Sequence, residues 1–438
     1  MLAGNVIQNA YNIINSMWVG KFLGARELAA TTVSRPVIFM LIAAAGGLTM
    51  ASGILVAQYS GARNWEHLRR VVQTSVTLVG AISLAIVPLG VWLAPLILSH
   101  LRVAPGAYAL AVSYLRVFLM TIPPSFGVFL IMSMMRGMGD SKTPLYFQGS
   151  ALALTAILTP ILMFGWLGFP RLGLNGTAWA SVVMQAANVA AMFVYLRRKD
   201  HILAMDWRHL GIHWPTAWLT IKIGLPSAIQ HSLMSLGMLV VLRFVNAFGQ
   251  NATAAIGAAM PIDQLAFMPS MTIGMAVSTL VGQNIGARKL ERVRETFSWS
   301  ALIAGGIGLL VSLVAMSAPG LLLRAFLNDA EAIRIGVGYL RIVSVSYVLL
   351  ALVCVGNGVL NGAGHTFITT FITLISLWVV RVPLTAYLSG HMHRVEGIWW
   401  AMVLSTVLSA ACSLGCYRAG IWKRPVVRHA PVKLEDAP

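Results

Sequence analysis

Asp263 is an acidic side chain set in an apolar stretch, between Pro261 and Pro269 of this 438-residue chain. A carboxylate at the centre of a bilayer costs roughly 2.5–3.5 kcal/mol unless it is paired or wetted, so its presence there needs a reason. The two prolines withdraw backbone donors on either side and free carbonyl oxygens around it. Helical spacing sets Phe267, Ser270 and Gly274 on the same stripe. Such a group can carry a proton or hold a cation. It can equally form a fixed ion pair with Arg35, Arg243 or Arg381, or lie near the headgroups. Arg381, within Trp378-Val379-Val380-Arg381-Val382-Pro383, is itself expensive in a membrane unless it faces a cavity. Gln230 and His231 add polar groups to another apolar stretch, with Met234 and Met238 continuing the Gln230 face. Methionines adapt to varied apolar ligands, and the same stripe also serves as core packing. Cys354, Cys412 and Cys416 are odd in number and lie in apolar runs, which argues against a disulfide framework. Cys412 and Cys416 share a helix face but lack the further ligands a metal needs.

The elements that must position these groups are membrane helices. The chain is 58% hydrophobic and 10% charged, with mean hydropathy +0.79, outside the usual range of soluble domains. Apolar runs of about 20 residues, each enough to cross a bilayer, recur between short polar breaks. They read as spans near 1–20, 34–59, 71–98, 108–133, 145–166 and 173–196. A second set lies near 217–247, 253–283, 298–322, 336–359, 367–389 and 396–420. The fold class is therefore all-α, a membrane protein of twelve transmembrane helices.

The net charge of +18 sets orientation and does not signal nucleic acid. With the N-terminus on the cytoplasmic side, most of the 31 Lys and Arg fall on cytoplasmic loops and the tail, around Arg63–Arg70, Arg136–Lys142, Arg197–Arg208, Arg288–Arg294 and Arg418–Lys433. This positive-inside bias puts both termini in the cytoplasm. The first apolar stretch lacks a basic leader and a small-residue cleavage site, so it reads as a retained span.

The chain also repeats itself at an offset of 225 residues. Leu55-Val56-Ala57-Gln58-Tyr59-Ser60-Gly61-Ala62-Arg63 answers Leu280-Val281-Gly282-Gln283-Asn284-Ile285-Gly286-Ala287-Arg288. Gly24 meets Gly249, Pro36 meets Pro261, Tyr114-Leu115-Arg116 meets Tyr339-Leu340-Arg341, and Gly137 and Gly139 meet Gly362 and Gly364. After a small slip, Gly176 and Trp179 answer Gly397 and Trp400. At the same offset Met1 aligns with Pro226, leaving Ile221–Leu225 without a counterpart; either the start is misassigned or the first helix is short. Ile38 holds the place of Asp263, so the carboxylate belongs to one half alone. A long apolar chain of two similar halves points to a secondary transporter with substrate between them. The halves expected are 1–196 and 217–421, six-helix bundles related by a pseudo-twofold axis along the membrane normal. A cytoplasmic linker, 197–216, joins them, and a tail, 422–438, is expected to be disordered.

Several strings make the resemblance specific. They are Trp18-Val19-Gly20-Lys21-Phe22-Leu23-Gly24 leading to Leu28-Ala29-Ala30, Arg136-Gly137-Met138-Gly139-Asp140-Ser141-Lys142-Thr143-Pro144, Gly224-Leu225-Pro226, Asp263-Gln264-Leu265-Ala266-Phe267-Met268-Pro269 and Val281-Gly282-Gln283-Asn284-Ile285-Gly286-Ala287. Over almost its whole length the chain resembles bacterial members of the multidrug and toxic compound extrusion (MATE) family. The resemblance implies two bundles around a central cavity, rocking between inward- and outward-open states. It further implies export of organic compounds in exchange for protons or sodium ions.

Against that family the first half departs in its polar residues. Where members carry an aspartate before Val-Gly in the first span, this chain has Asn15. Where the fifth span often carries Asn and Asp, alignment on Phe164-Gly165 places Thr155 and Thr159, and Ser181 matches a hydroxyl of the sixth span. These four are expected to line one cavity of the first bundle. A neutral amide and hydroxyls cannot cycle a proton near pH 7. Asp263, where members often carry Glu, is left to couple transport through the second half. The ion-coupling or substrate residues expected are thus Asp263, Asn15, Thr155, Thr159, Ser181, Gln230 and Arg381. No cofactor beyond a coupling H+ or Na+ is expected. The partners expected are a small organic substrate and membrane lipids, with the chain working as a monomer. A membrane enzyme is disfavoured, because no His-Glu-x-x-His, Ser-x-x-Lys or acidic pair lies in the spans. A lipid-linked saccharide flippase of the same architecture stays open, since a basic cavity suits phosphates.

Overall fold

The computed structural model describes residues 22–100, 105–204 and 211–427, and every regular element among them is helical. The first repeat contributes α1 (Ala25–Gly61), α2 (Trp65–His100), α3 (Pro105–Leu119), α4 (Ile122–Gly137), α5 (Lys142–Phe164) and α6 (Leu174–Arg198). The second contributes α7 (Trp214–Asn246), α8 (Gln250–Gly286), α9 (Leu290–Ser317), the short α10 (Pro319–Arg324), α11 (Ala330–Val343) and α12 (Ser346–Gly362). A further span follows as α13 (Thr366–Thr373), a π-helical stretch (Leu374–Arg381) and α14 (Val382–Met392), before α15 (Glu396–Arg418). Eight described helices are long and apolar enough to cross a membrane, and ten when each of two bent pairs counts as one span. The expected first span, 1–20, lies outside the described residues. Outward faces are apolar, as on α9, where Leu302, Leu310 and Leu313 are all exposed. Hydrogen-bonded helices with oily exteriors suit a bilayer, which leaves no backbone group unmet.

By internal contact the chain divides into Met1–Val56 with Asn64–Ala228, and Ala57–Arg63 with Ile229–Pro438. This boundary falls inside α7, whereas the sequence places it in the linker 197–216. A helix continuous from Trp214 gives no break at 216. The repeat is written into the backbone. The left-handed conformations of Gly24, Arg63 and Gly139 (φ 114°, 54° and 94°) recur at Gly249, Arg288 and Gly364 (97°, 58° and 89°). Non-glycine residues seldom adopt such φ values, so Arg63 and Arg288 mark a turn that both copies keep. The hydrogen bonds repeat as well: Arg63 N to Ser60 O at 3.0 Å is matched by Arg288 N to Ile285 O at 3.0 Å. In the second unit the Gly61 and Gly286 turns meet reciprocally. A Cβ on Gly61 would overlap the Gln283 carbonyl, and one on Gly286 the Gln58 carbonyl.

The expected spans 108–133 and 336–359 are each broken in two. The α3–α4 pair bends by 44° and the α11–α12 pair by 49°. Pro123 and Pro124 lack the N–H groups that would continue α3 into α4. At both breaks a hydroxyl takes over a carbonyl: Thr121 Oγ1 donates to Phe118 O, and its repeat equivalent Ser346 Oγ donates to Val343 O, each at 2.7 Å. The tail departs from its expected disorder over residues 422–427. Trp422 is buried, stacks at 5.9 Å on Tyr417, and Val426 N donates to Ala363 O at 3.1 Å. An indole and a valine in the apolar gap beside the Ala363–His365 turn outweigh the polar composition of that segment. Residues 428–438 lie outside the described residues.

Candidate functional site

Asp263 sits in the N-terminal half of α8, and each of its carboxylate oxygens accepts one phenolic hydrogen bond. Tyr339 donates to Oδ2 at 2.6 Å and Tyr347 to Oδ1 at 2.5 Å. On a straight helix two residues eight apart stand about 12 Å apart along the axis and face different directions. The 49° break between α11 and α12 lets both reach one carboxylate. Small residues bring the backbones together. Cβ atoms on Gly274 and Gly358 would overlap the Cys354 and Gly274 carbonyls, and one on Gly362 would meet Ser278 O. This small-xxx-small contact is how membrane helices pack closely without a hydrophobic driving force. Behind Tyr339, Trp399 of α15 packs edge-on at 4.8 Å with no exposed surface. Hydrogen bonds to an ionised group are each worth about 1.5–3 kcal/mol. Two of them offset much of the cost of holding a carboxylate here.

The ion-pair alternative takes a different form from a direct bridge. The ion pairs described are Glu66–Arg70 and Glu331–Arg334, both on the surface. Arg243 is exposed, and the Arg35 side chain lies outside the described residues. Arg381 bonds to α15: its Nε donates to Ser405 Oγ at 2.7 Å and its Nη2 to Thr406 Oγ1 at 3.2 Å. Tyr339 is within electrostatic reach of both Asp263 and Arg381. Acid and base thus keep separate partners and do not pair. Arg381 closes the π-helical stretch, a wider winding that often marks functional positions in helices.

Gln230 ties α7 to the α13 span. Its Nε2 donates to Thr373 Oγ1 at 2.9 Å, and Thr369 Oγ1 donates to Asn361 Oδ1 at 2.8 Å beside it. Trp378 Nε1 adds a bond to Leu233 O at 3.1 Å. Gln230 therefore has a structural partner, apart from the Asp263 group. Met234 and Met238 are exposed, His231 is half-buried, and the three cysteines are free thiols.

In the first unit Thr155 and Thr159 are buried on one face of α5. Each donates back along its own helix, to Ala151 O at 2.6 Å and to Thr155 O at 2.7 Å. Ser181 does likewise on α6, to Thr177 O at 3.1 Å. Their protons are spent locally and their lone pairs stay available. Asn15 lies outside the described residues. At the exit of α4, Asp140 Oδ1 accepts from Lys142 N and Thr143 N, each at 3.0 Å. Burial pushes the Asp140 carboxyl up, but bonds from Thr143 and Lys142 and the neighbouring His201 hold it below its usual value.

The tyrosines, Trp399, Ser405 and Thr406 were not singled out as site residues from sequence. Tyr339 stood only as a repeat match to Tyr114, and nothing local to either tyrosine marks the break that aims it. The available signal was the pairing of an unpaired in-span acid with in-span phenols.

Comparison with known proteins places the whole chain in context. The MatE family model matches residues 1–161 and again residues 226–387, the same repeat seen in the backbone. The probable multidrug resistance protein YoeA of Bacillus subtilis (strain 168) is 30% identical over 432 residues, covering 97% of this chain and 92% of that protein. The human multidrug and toxin extrusion protein 1 is 26% identical, covering 98% of this chain and 75% of its own length. Among solved structures, a MATE transporter in the bent conformation superposes with a TM-score of 0.88 at 23% identity, over 97% of this chain and 94% of that one. A MOP superfamily transporter from Pyrococcus furiosus, described as having a binding pocket of reverse polarity, has a TM-score of 0.87 at 23% identity over 97% and 94%. The shared fold is all-α, and in MATE transporters it comprises twelve helices in two bundles.

Proposed function

The chain belongs to the MatE family, and from that membership we propose that it is a secondary antiporter exporting organic compounds across the cytoplasmic membrane. Protons or sodium ions flow inward in exchange, by rocking of two bundles, with both termini in the cytoplasm. The names of the bacterial and human relatives support multidrug efflux. The observation that carries the coupling assignment is Asp263 inside a span, with both oxygens bonded by Tyr339 and Tyr347. A carboxylate there can alternate between ionised and protonated, or ionised and cation-bound, while the phenols keep their positions and exchange roles as donors and acceptors. That alternation ties ion movement to helices α8, α11 and α12. Coupling therefore runs through the second half.

The test is accumulation of a fluorescent organic dye in an efflux-deficient bacterial host, with and without a proton or sodium gradient. Asp263→Asn keeps the size and removes the charge. It should abolish gradient-driven export at near-normal protein levels. Undiminished export would overturn the assignment, and loss of folded protein would move Asp263 to a structural role. Arg381 supports a second reading, a lipid-linked saccharide flippase, since a guanidinium suits phosphates. Lipid-linked saccharide crossing in vesicles without any dye export would favour it.

A further inference from the structure

Arg381 is a cation inside a membrane span whose hydrogen-bond partners, Ser405 and Thr406, are neutral. Ser405 is buried completely and Thr406 almost so, which aims the guanidinium into its own bundle and away from lipid. Both hydroxyls give their protons to the Met402 carbonyl, at 2.9 and 2.8 Å, and so turn lone pairs toward Arg381. That arrangement fixes the guanidinium in place and contributes no negative charge. Arg381 is half-buried, and a guanidinium carries five N–H donors, so part of its fork remains open.

No carboxylate pairs with Arg381 among the described residues. Asp263 has both oxygens engaged by Tyr339 and Tyr347 and makes no ion pair with Arg381. Two turns earlier on the same face of α15, the buried Trp399 holds an Nε1–H without a partner. An indole N–H can only donate. Among the described residues Arg381 and Trp399 thus bring donors to this part of the second unit, and no anion answers them. A charge held in a membrane span without a counter-charge is unfavourable, so an anionic group reaching the open side of the fork would be favoured there.

We propose that Arg381, positioned by Ser405 and Thr406, binds the carboxylate or phosphate group of an amphiphilic compound that this chain transports. This deepens the export reading on which it rests by naming the substrate class as anionic or zwitterionic. The fork of a guanidinium fits a planar carboxylate or a phosphate with two parallel bonds, where a lysine would give a point charge.

The test uses the full chain in detergent with three probes sharing one aromatic body: pyrenebutanoate, pyrenebutanol and pyrenebutyl-trimethylammonium. Binding is read by fluorescence polarisation. The wild-type chain should prefer the carboxylate over the alcohol by about tenfold or more, in line with a charge-assisted bidentate pair. That preference should fall to near parity in Arg381→Gln and survive in part in Arg381→Lys. Displacement of the carboxylate by added phosphatidylglycerol would assign the anion to a lipid headgroup and support the site. Equal binding of carboxylate and alcohol by the wild-type chain, or preference for the ammonium, would overturn it without any variant. Gradient-driven export of the ammonium probe alone would likewise overturn the anion site and leave antiport standing. Selective carboxylate binding without any gradient response would support the site and remove antiport.

Discussion

The two halves of this chain keep the same backbone and differ in what they place at one position. At the repeat offset, Asp263, Tyr339 and Tyr347 of the second half correspond to Ile38, Tyr114 and Ile122 of the first. Both halves bend their fourth span at the same point and close the bend with a hydroxyl, Thr121 or Ser346. In the second half that bend aims two phenols at a carboxylate. In the first it leaves Tyr114 buried against Phe118, with ring centroids 5.9 Å apart, and Ile122 in the core. The duplicated scaffold thus keeps this bend in both copies, and in the second a carboxylate meets it. The bend is a property of the architecture, and the site is an occupant of it.

The largest effects expected concern what the halves share. Gly61→Leu and Gly286→Leu should each cost about 3 kcal/mol or more, since each drives a side chain into a backbone carbonyl that cannot retreat. Melting temperature in detergent reads this, and similar losses are expected from the two. If only one variant is destabilised, the reciprocal crossing is not shared equally.

Next come substitutions that separate the halves. Tyr339→Phe and Tyr347→Phe each remove a hydrogen bond to a carboxylate, worth about 1.5–3 kcal/mol, and should slow export by about tenfold or more. Tyr114→Phe, at the equivalent place, should change export less than about twofold, because Ile38 stands there where the second half has Asp263. Comparable slowing by all three, measured as dye efflux rate, would erase the distinction. The Thr155→Val and Thr159→Val double variant should do still less. Those hydroxyls donate to carbonyls of their own helix, and stability should change by about 1 kcal/mol or less.

A small, pH-dependent effect lies at another pair of equivalents, Asp140 and His365. Asp140 satisfies the first amides of α5, whereas His365 meets the Arg424 carbonyl at 2.8 Å. Asp140→Ala should cost about 1 kcal/mol, a typical loss for a helix cap. Because the folded carboxyl is held below its usual value, its contribution is present above the unfolded pKa near 3.9 and fades as pH falls through the folded value. Melting curves at pH 7 and pH 3 should therefore show a smaller difference between variant and wild type at the lower pH. His365→Ala should not reproduce that pH pattern.

The sequence made the membrane helices, their repeat and the membership of Asp263 in a span legible, because length, hydropathy and a fixed offset all survive without coordinates. The bends did not follow so easily. Pro123-Pro124 signals one of them, but Ser346 sits in a run without proline, and its hydroxyl closure shows only in three dimensions. Tyr339 and Tyr347 were hidden for the same reason, since eight residues separate them and a straight helix would point them apart. The ordering of Trp422 also escaped, because a polar, proline-containing tail masks one indole that fits a gap. Arg381 was legible as a costly charge, while its neutral partners 24 and 25 residues further on were not.

Coupling through Asp263 would place the ion pathway in the second half. It is tested most directly by reconstituting the full chain in proteoliposomes and imposing a proton or sodium gradient while dye efflux is recorded. Wild type and the Thr155→Val, Thr159→Val double variant should both respond to the gradient. Asp263→Asn, folded by its melting transition, should lose the response while still binding the dye. A gradient response retained by Asp263→Asn, or lost in the threonine variant, would place coupling outside the second half.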